Sequence, residues 1–270
     1  MNITLGIDIG GSTTKVVGLQ NKKLIGTKQV RAADQLTSLF GAIGSFLHEF
    51  GMALEDVSEI ILTGVGASFI NKETIYGIKV RKVNEFQAIG RGAQYLSELD
   101  DILVVSMGTG TAIVKASESE IMRIGGSGVG GGTILGLASQ MLEKNDIDAI
   151  IAMALQGDLQ NIDLMVNDII GEEIPSLPAD LTAANFGKIK STASQSDIAL
   201  GIINMVFEVI GMLAVLALKN DAVRDVVLIG TLATFPQANE VFTKFSKMTD
   251  VNFIIPHNAE YATALGAGLA

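Results

Sequence analysis

Residues 6–19 read GIDIGGSTTKVVGL and set Asp8, Ile9, Gly10, Gly11, Ser12, Thr13, Thr14 and Lys15 between two runs of β-forming residues. These residue types suit a polyphosphate. A turn of glycines lets backbone N–H groups approach an anion closely. Ser12, Thr13 and Thr14 add hydroxyl donors and Lys15 a positive charge. Asp8, at the end of the first strand, is placed to hold a metal or a metal-bound water. A structural hairpin with its polar residues facing water has the same composition, so this stretch alone leaves both readings open. A second stretch, VVSMGTGTAIVK at residues 104–115, repeats the pattern with Thr109 and Thr111 in its turn. Two such hairpins facing each other across a cleft could hold opposite sides of a nucleoside triphosphate. A third, GGSGVGGGTILGL at residues 125–137, is a Gly-rich loop opening a helix, which is a general anion site. In VNEFQA, Asn84 is a natural N-cap and Glu85 stands in the first helical turn, where the dipole favours the carboxylate. Glu85 could take a proton from a substrate hydroxyl or merely complement that dipole.

The elements that must position these residues follow from periodicity. The first half reads strand 3–9, strand 14–19, strand 23–30, helix 36–50, strand 59–63, a short extended piece 80–83 and helix 86–96. The pattern then restarts with strand, Gly turn and strand over 102–116, a third strand 121–124, and helical material past 149–155. Residues 174–188 read as loop and turn. A long helix 198–218, a strand with a Gly turn in DVVLIGTLA, a last strand 253–255 and a closing helix 261–269 complete the chain. The internal echo predicts two similar α/β lobes, residues 1–99 and 100–270, the second carrying helical dimerisation elements.

Composition excludes several chemistries. The 270 residues include no cysteine, which removes thiolate zinc sites, iron–sulfur clusters and cysteine nucleophiles together. A net charge of −10 with no basic stripe argues against a nucleic-acid partner. No secretory signal is read before the first strand, so the expected location is cytoplasmic. Residues 198–218 are long enough to span a bilayer. Asn204 and Glu208 sit in their middle, however, so a helix buried in protein is expected rather than a membrane span, with Glu208 needing a polar partner.

The two-lobe pattern resembles the actin, Hsp70 and sugar-kinase superfamily, with ribonuclease H-like lobes around a nucleotide cleft. More narrowly, GIDIGGSTTK, ILTGVGA, VNEFQAIGRGAQYL, VVSMGTGTAIV, MRIGGSGVGGGTILGL, GDLQNIDLMVNDI, LPADLTAANFGK and VLIGTL resemble the type II pantothenate kinases nearly end to end. The segment HNAEYATALGAG, residues 257–268, departs from the family's pattern. The resemblance implies phosphorylation of pantothenate by ATP with Mg²⁺, a first step toward coenzyme A, in a homodimer. It implies Glu85 as catalytic base, Lys15 as the charge on the transferred phosphoryl group, and Asp8 as holder of Mg²⁺ through water. It implies nucleotide contacts from residues 8–15, Thr109, Gly131, Gly132, Thr133, Ile134, Leu135, Ile147 and Thr231, the last in an adenine-contacting turn. Substrate contacts are implied for Glu85, Thr111, Arg123, Thr182 and Ala183, the last two lying in a segment that helps a neighbouring subunit's pocket. Arg91 is a weaker alternative to Arg123. Three other functions share parts of the pattern. A sugar or amino-sugar kinase commonly uses an Asp base in another setting and often a zinc-binding Cys cluster. A dehydratase-activating ATPase needs an iron–sulfur cluster, and a switch module binds nucleotide without catalysis.

Overall fold

The computed structural model describes residues 2–31, 34–170 and 180–270. Its first sheet is built from β1 (Ile3–Ile9), β2 (Thr13–Gln20), β3 (Lys23–Arg31), β4 (Val57–Thr63), β5 (Thr74–Ile75) and β6 (Ile78–Lys82), in the order β3-β2-β1-β4-β6-β5. Helix α1 (Gln35–Glu49) precedes β4, and α2 (Glu85–Ser97) follows β6. The second sheet uses β7 (Ile102–Met107), β8 (Thr111–Ala116) and β9 (Ile121–Ser127). After them come α3 (Gly131–Leu142), α4 (Ile147–Ala154), the short pair β10 (Leu164–Met165) and β11 (Thr182–Ala184), and α5 (Gln195–Ala217). β12 (Asp225–Ile229), α6 (Pro236–Met248), β13 (Asn252–Ile254) and α7 (Ala262–Gly268) close the chain. The order β13-β12-β7-β8-β9 mirrors the first sheet. In each, an antiparallel three-stranded meander carries parallel strands beside its first strand. This is the ribonuclease H-like arrangement expected of both halves. Of the loop expected over 174–188, residues 174–179 lie outside the described residues.

Strand alternation sorts the sheet faces. Ile3, Leu5, Ile7, Ile9, Val16, Ile60 and Leu62 pack with Leu39, Ile43 and Phe46 of α1. Val17 and Leu19 turn the other way, to α7. In the second sheet, Val104, Val114, Val227 and Ile229 face Ile89 and Ala93 of α2. Leu103, Val105, Met107, Val226 and Leu228 pack with side chains of α3, α4, α5 and α6. The layers are therefore α1, first sheet, α7 with α2, second sheet, outer helices. α2 packs on the second sheet although it belongs to the first half of the chain, and α7 packs on β1, β2 and β4 although it closes the second. α5 is long and apolar enough to cross a membrane by length and composition. It packs on α3, α4 and α6, and its polar positions have partners. Ser194 and Asp197 form a capping box, Asn204 reaches Asp163, and Asn185 donates to Glu208 at 2.7 Å.

α2 and α7 cross where neither can carry a side chain. A Cβ on Gly92 would lie 1.8 Å from the carbonyl oxygen of Ala262, and one on Gly266 would lie 1.8 Å from that of Ala88. Gly6 likewise lets α7 sit on β1, since its Cβ would meet the Ala264 oxygen at 2.1 Å. In urea denaturation, Gly92→Ala should lose about 3 kcal/mol or more, because the clashing atoms are backbone. Gly136→Ala has nothing within 4 Å of its new Cβ and should gain up to about 1 kcal/mol from helix propensity.

Candidate active site

The carboxyl ends of β1, β4 and β6 lie side by side. Asp8 pairs in register with Lys15 on one side and Thr63 on the other. Thr63 Oγ1 donates to the Val83 carbonyl at 3.1 Å, and Val83 N donates to Leu62. These bonds carry the chain from β6 to Asn84, whose side chain accepts from Phe86 N at 2.9 Å and Gln87 N at 3.4 Å. Glu85 therefore opens α2 next to the strand ends that hold Asp8. Gly64, at φ +85°, makes room for this cluster, because a Cβ there would lie 2.3 Å from Asp8 Oδ1. Its counterpart after β12 is Gly230, at φ +92°. Both glycines open a short 3₁₀ turn at the end of an equivalent strand.

Electrostatics bind the three charged groups together. Burial raises the Asp8 carboxyl above its ordinary value, against the charge of Lys15. Burial lowers the Lys15 ammonium, while Asp8 and then Glu260 oppose that shift. Glu85 is raised by burial and further by the charge of Asp8, so it is a stronger base than an exposed glutamate. Glu260 lies in the 257–268 segment, and sequence reasoning did not pick it out. The Gly230 amide, which donates to the Ala259 carbonyl at 3.0 Å, ties that segment to the site.

Both hairpins face the cleft as expected. Ser12 Oγ and Thr109 Oγ1 are 3.4 Å apart, and Lys15 Nζ donates to Thr231 Oγ1 at 2.9 Å. An exposed pair of contacts from Arg31 to Asp146 and Asp148, at 3.6 and 3.7 Å, also bridges the halves. Gly10 closes the first turn through its N–H to the Thr13 oxygen at 3.0 Å.

Several expected contacts fall elsewhere. Thr14 shares its face of β2 with Val16, so its hydroxyl is buried on the α1 side without a hydrogen-bond partner among the described residues, not in the cleft. Ile9 is likewise a core side chain there and offers the cleft backbone only. Thr111 Oγ1 is buried and donates to the Val129 carbonyl at 2.8 Å, bracing the Gly-rich loop instead of meeting substrate. The amides of Gly131 and Gly132 donate to the carbonyls of Gly108 and Thr109, each at 2.9 Å. Thr133 Oγ1 accepts from Gly130 N and donates to the Gly128 carbonyl, both at 3.1 Å. The start of α3 thus clamps the second hairpin, and its donors are already engaged. Ile134 is fully buried in the core of the second half, and Leu135 and Ile147 are half-buried against the same core. Thr231, in the turn after β12, accepts from Lys15 Nζ and so lies beside the first hairpin. Thr182 belongs to a buried polar cluster with Asp163 and Asn204, while Ala183 is exposed.

Arg123 is exposed, and its guanidinium carbon lies 5.3 Å from the centroid of the Phe86 ring, one residue from Glu85. Arg91 is exposed on α2 and lines a separate hollow with Lys22, Gln94 and Ser119. The two hairpin turns therefore bring Asp8, Lys15, Ser12, Thr109 and Thr231 to one side, with the Glu85 carboxyl and, across Phe86, the Arg123 guanidinium beyond them.

Comparison with known proteins gives the family and the fold. The sequence profile of the Fumble family matches residues 99–269. The chain is similar to the type II pantothenate kinase of Oceanobacillus iheyensis, 30% identical over 98% of this chain and 98% of that protein. It is also similar to that of Bacillus anthracis, 28% identical over 99% and 97%. Among solved structures, component A of the (R)-2-hydroxyglutaryl-CoA dehydratase of Acidaminococcus fermentans superposes with a TM-score of 0.72. That match has 19% identity and covers 100% of this chain and 97% of that one. The ROK hexokinase of Thermus thermophilus superposes with a TM-score of 0.56 at 14% identity, covering 99% and 97%. These distant likenesses carry the fold.

The electrostatic coupling can be measured directly. In an NMR titration, the Glu85 carboxyl should titrate above the ordinary glutamate range. Asp8→Asn should move it down, though not fully, because burial is the larger cause. An unmoved value would show that the two groups do not interact.

Proposed function

The chain belongs to the type II pantothenate kinases, and we propose that its cleft transfers the γ-phosphoryl group of ATP to the primary hydroxyl of pantothenate with Glu85 as base. The reaction yields 4′-phosphopantothenate, on the way to coenzyme A. The observation that carries this division of labour is the meeting of Asp8, Lys15 and Glu85 at adjacent strand ends, with Arg123 beside Glu85 across Phe86.

Phosphoryl transfer asks the protein mainly for position and charge stabilisation. Lys15 sits where it can neutralise charge developing on the γ-phosphoryl oxygens, and Thr231 holds its ammonium in the cleft. Ser12 and Thr109 present hydroxyls from opposite hairpins. Glu85 orients the acceptor hydroxyl and takes its proton as that oxygen bonds to phosphorus and the bond to ADP breaks. Arg123 offers the planar donor fork that suits the acceptor's carboxylate. Among the described residues no group of three or more His, Asp or Glu could cage a metal. The lone Asp8 fits a Mg²⁺ ion that keeps its waters and phosphate oxygens, and would hold it through water. Such an ion, when bound, supplies positive charge to the triphosphate.

We also infer a cytoplasmic homodimer. The exposed stripe Val209, Met212 and Leu216 on α5, with i, i+3 and i+7 spacing, supports the self-contact. The exposed Ala183 is consistent with a segment offered to a neighbouring subunit.

The test is a coupled ADP-release assay with MgATP, comparing pantothenate, a panel of sugars and no acceptor. Release with pantothenate alone is expected. Release with a sugar would remove the acceptor assignment, and release without acceptor would indicate an ATPase. Glu85→Gln should lower kcat by about 10²- to 10⁴-fold, the usual reach of general-base catalysis. Near-normal turnover would remove Glu85 as the base.

A further inference from the structure

The acceptor side of the cleft contains an aromatic ring to which the reaction as described gives no role. Phe86 follows Glu85 directly, and the Arg123 guanidinium lies over its face. Two features of the fold bring them together. The first is a skip in the β8–β9 ladder. The pairs run Thr111↔Ser127, Ala112↔Gly126 and Ile113↔Gly125, but the next is Val114↔Arg123. Ile124 is therefore an extra residue, a β-bulge. With regular pairing, Val114 would stand opposite Ile124, and Arg123 would fall opposite Lys115 on the other face of the sheet. Val114 belongs to the face that packs on α2, so the bulge turns Arg123 toward that helix.

The second feature is a match of spacing. Ile121, two residues before Arg123, packs on Gly90, where a Cβ would lie 2.6 Å from Ile121 Cγ2. Phe86 lies four residues before Gly90, hence on the same stripe of α2. Two strand residues thus sit over one helical turn. Gln87 Nε2 donates to the Ile121 carbonyl at 3.0 Å and fixes the alignment. Near the guanidinium, a Cβ on Gly126 would lie 3.5 Å from Nη2, so the strand leaves it space. Arg123 has no ion-pair partner among the described residues, which leaves its donors for a ligand.

We propose that Phe86 is a positioning residue for the acceptor. Its ring holds the Arg123 guanidinium so that the donor fork meets the acceptor's carboxylate while Glu85, on the adjoining residue, meets its hydroxyl. The pair then works as a ruler: the separation between Glu85 and the stacked guanidinium selects acceptors whose hydroxyl and carboxylate span it. This rests on pantothenate being the acceptor. A ring serving only as core filling for α2 would be replaced without loss by leucine, a good helix former.

The experiment compares the unmodified enzyme, Phe86→Leu and Phe86→Tyr, with pantothenate and with pantothenol, in which a hydroxymethyl group replaces the carboxylate. Phe86→Leu should raise KM for pantothenate roughly two- to fivefold, the range of an exposed cation–π contact, while kcat and the KM for ATP stay unchanged. KM for pantothenol should not change, and Phe86→Tyr should restore the pantothenate value. An unchanged pantothenate KM in Phe86→Leu, or an equal rise for both acceptors, overturns the proposal. If the unmodified enzyme turns over neither acceptor, the acceptor assignment itself fails, and this proposal with it.

Discussion

The crossing of α2 and α7 sets the geometry of the whole cleft. Each helix originates in one half of the chain and packs on the sheet of the other, and they touch through backbone at Gly92 and Gly266. α7 is seated on β1 at Gly6, two residues before Asp8. α2 begins with Glu85 and lies against β9, which carries Arg123. The distance from the first hairpin to Glu85, and from Glu85 to the Arg123 guanidinium, is therefore carried by one close helix pair. A side chain at the crossing would push the helices apart and move Glu85 relative to both sheets. Because the atoms in contact are backbone, no rotamer change could relieve it.

The two hairpins are supported by different means, which suits different tasks. The first belongs to a meander whose turn is closed by one internal bond from Gly10, and its cleft-facing groups are charged. The second is clasped from outside by the segment 128–133, through Gly131, Gly132 and the carbonyl of Val129. The clasp uses up the amides that a glycine-rich helix start would otherwise present to an anion. The glycines there serve close approach of backbone to backbone: a Cβ on Gly130 would lie 2.7 Å from the Thr109 oxygen. The result is a second hairpin that is stiff at its base and exposes Thr109 at its tip.

Much of this was legible in the sequence because it depends on local chemistry. Apolar alternation marks the strands, Asn84 marks the start of α2, and Gly64 and Gly230 stand where strands give way to turns that require positive φ. Asp8 and Lys15 were readable from their place beside a glycine turn, whereas Glu85, which a helix start alone could explain, was singled out by the resemblance to the type II pantothenate kinases. What was not legible depends on partners distant in sequence. Alternation says that Thr13 and Thr14 point opposite ways, but the packing of β2 against α1 decides that Thr14 is the one turned from the cleft. The hydroxyls of Thr111 and Thr133 look like ligand donors until their carbonyl acceptors are seen. Ile134 follows a ligand-like glycine run yet points along the core stripe of α3. The bulge at Ile124 has no composition signal at all, since it is a property of how β9 pairs with β8.

The charges of Asp8, Lys15 and Glu85 suit a polyanion accompanied by a cation. Asp8 and Glu85 are both raised and Lys15 is lowered, each chiefly by burial, so all three ionised forms are disfavoured where they stand. The charge of Asp8 further disfavours ionised Glu85, while Lys15 offsets part of the burial of Asp8. A polyanion accompanied by a divalent cation changes every one of these terms. A divalent cation held by Asp8 through water would relieve the repulsion between the carboxylates, and phosphates would stabilise the ammonium that burial penalises. The Lys15–Thr231 bond gives the lysine a neutral partner until then, which satisfies a donor without committing its charge. Contacts from three elements of the first half, at Ser12, Lys15 and Arg31, already reach the second half. The Ser12 and Arg31 contacts are exposed and contribute little each, so the buried Lys15–Thr231 bond and any ligand held between the halves would be the stronger links.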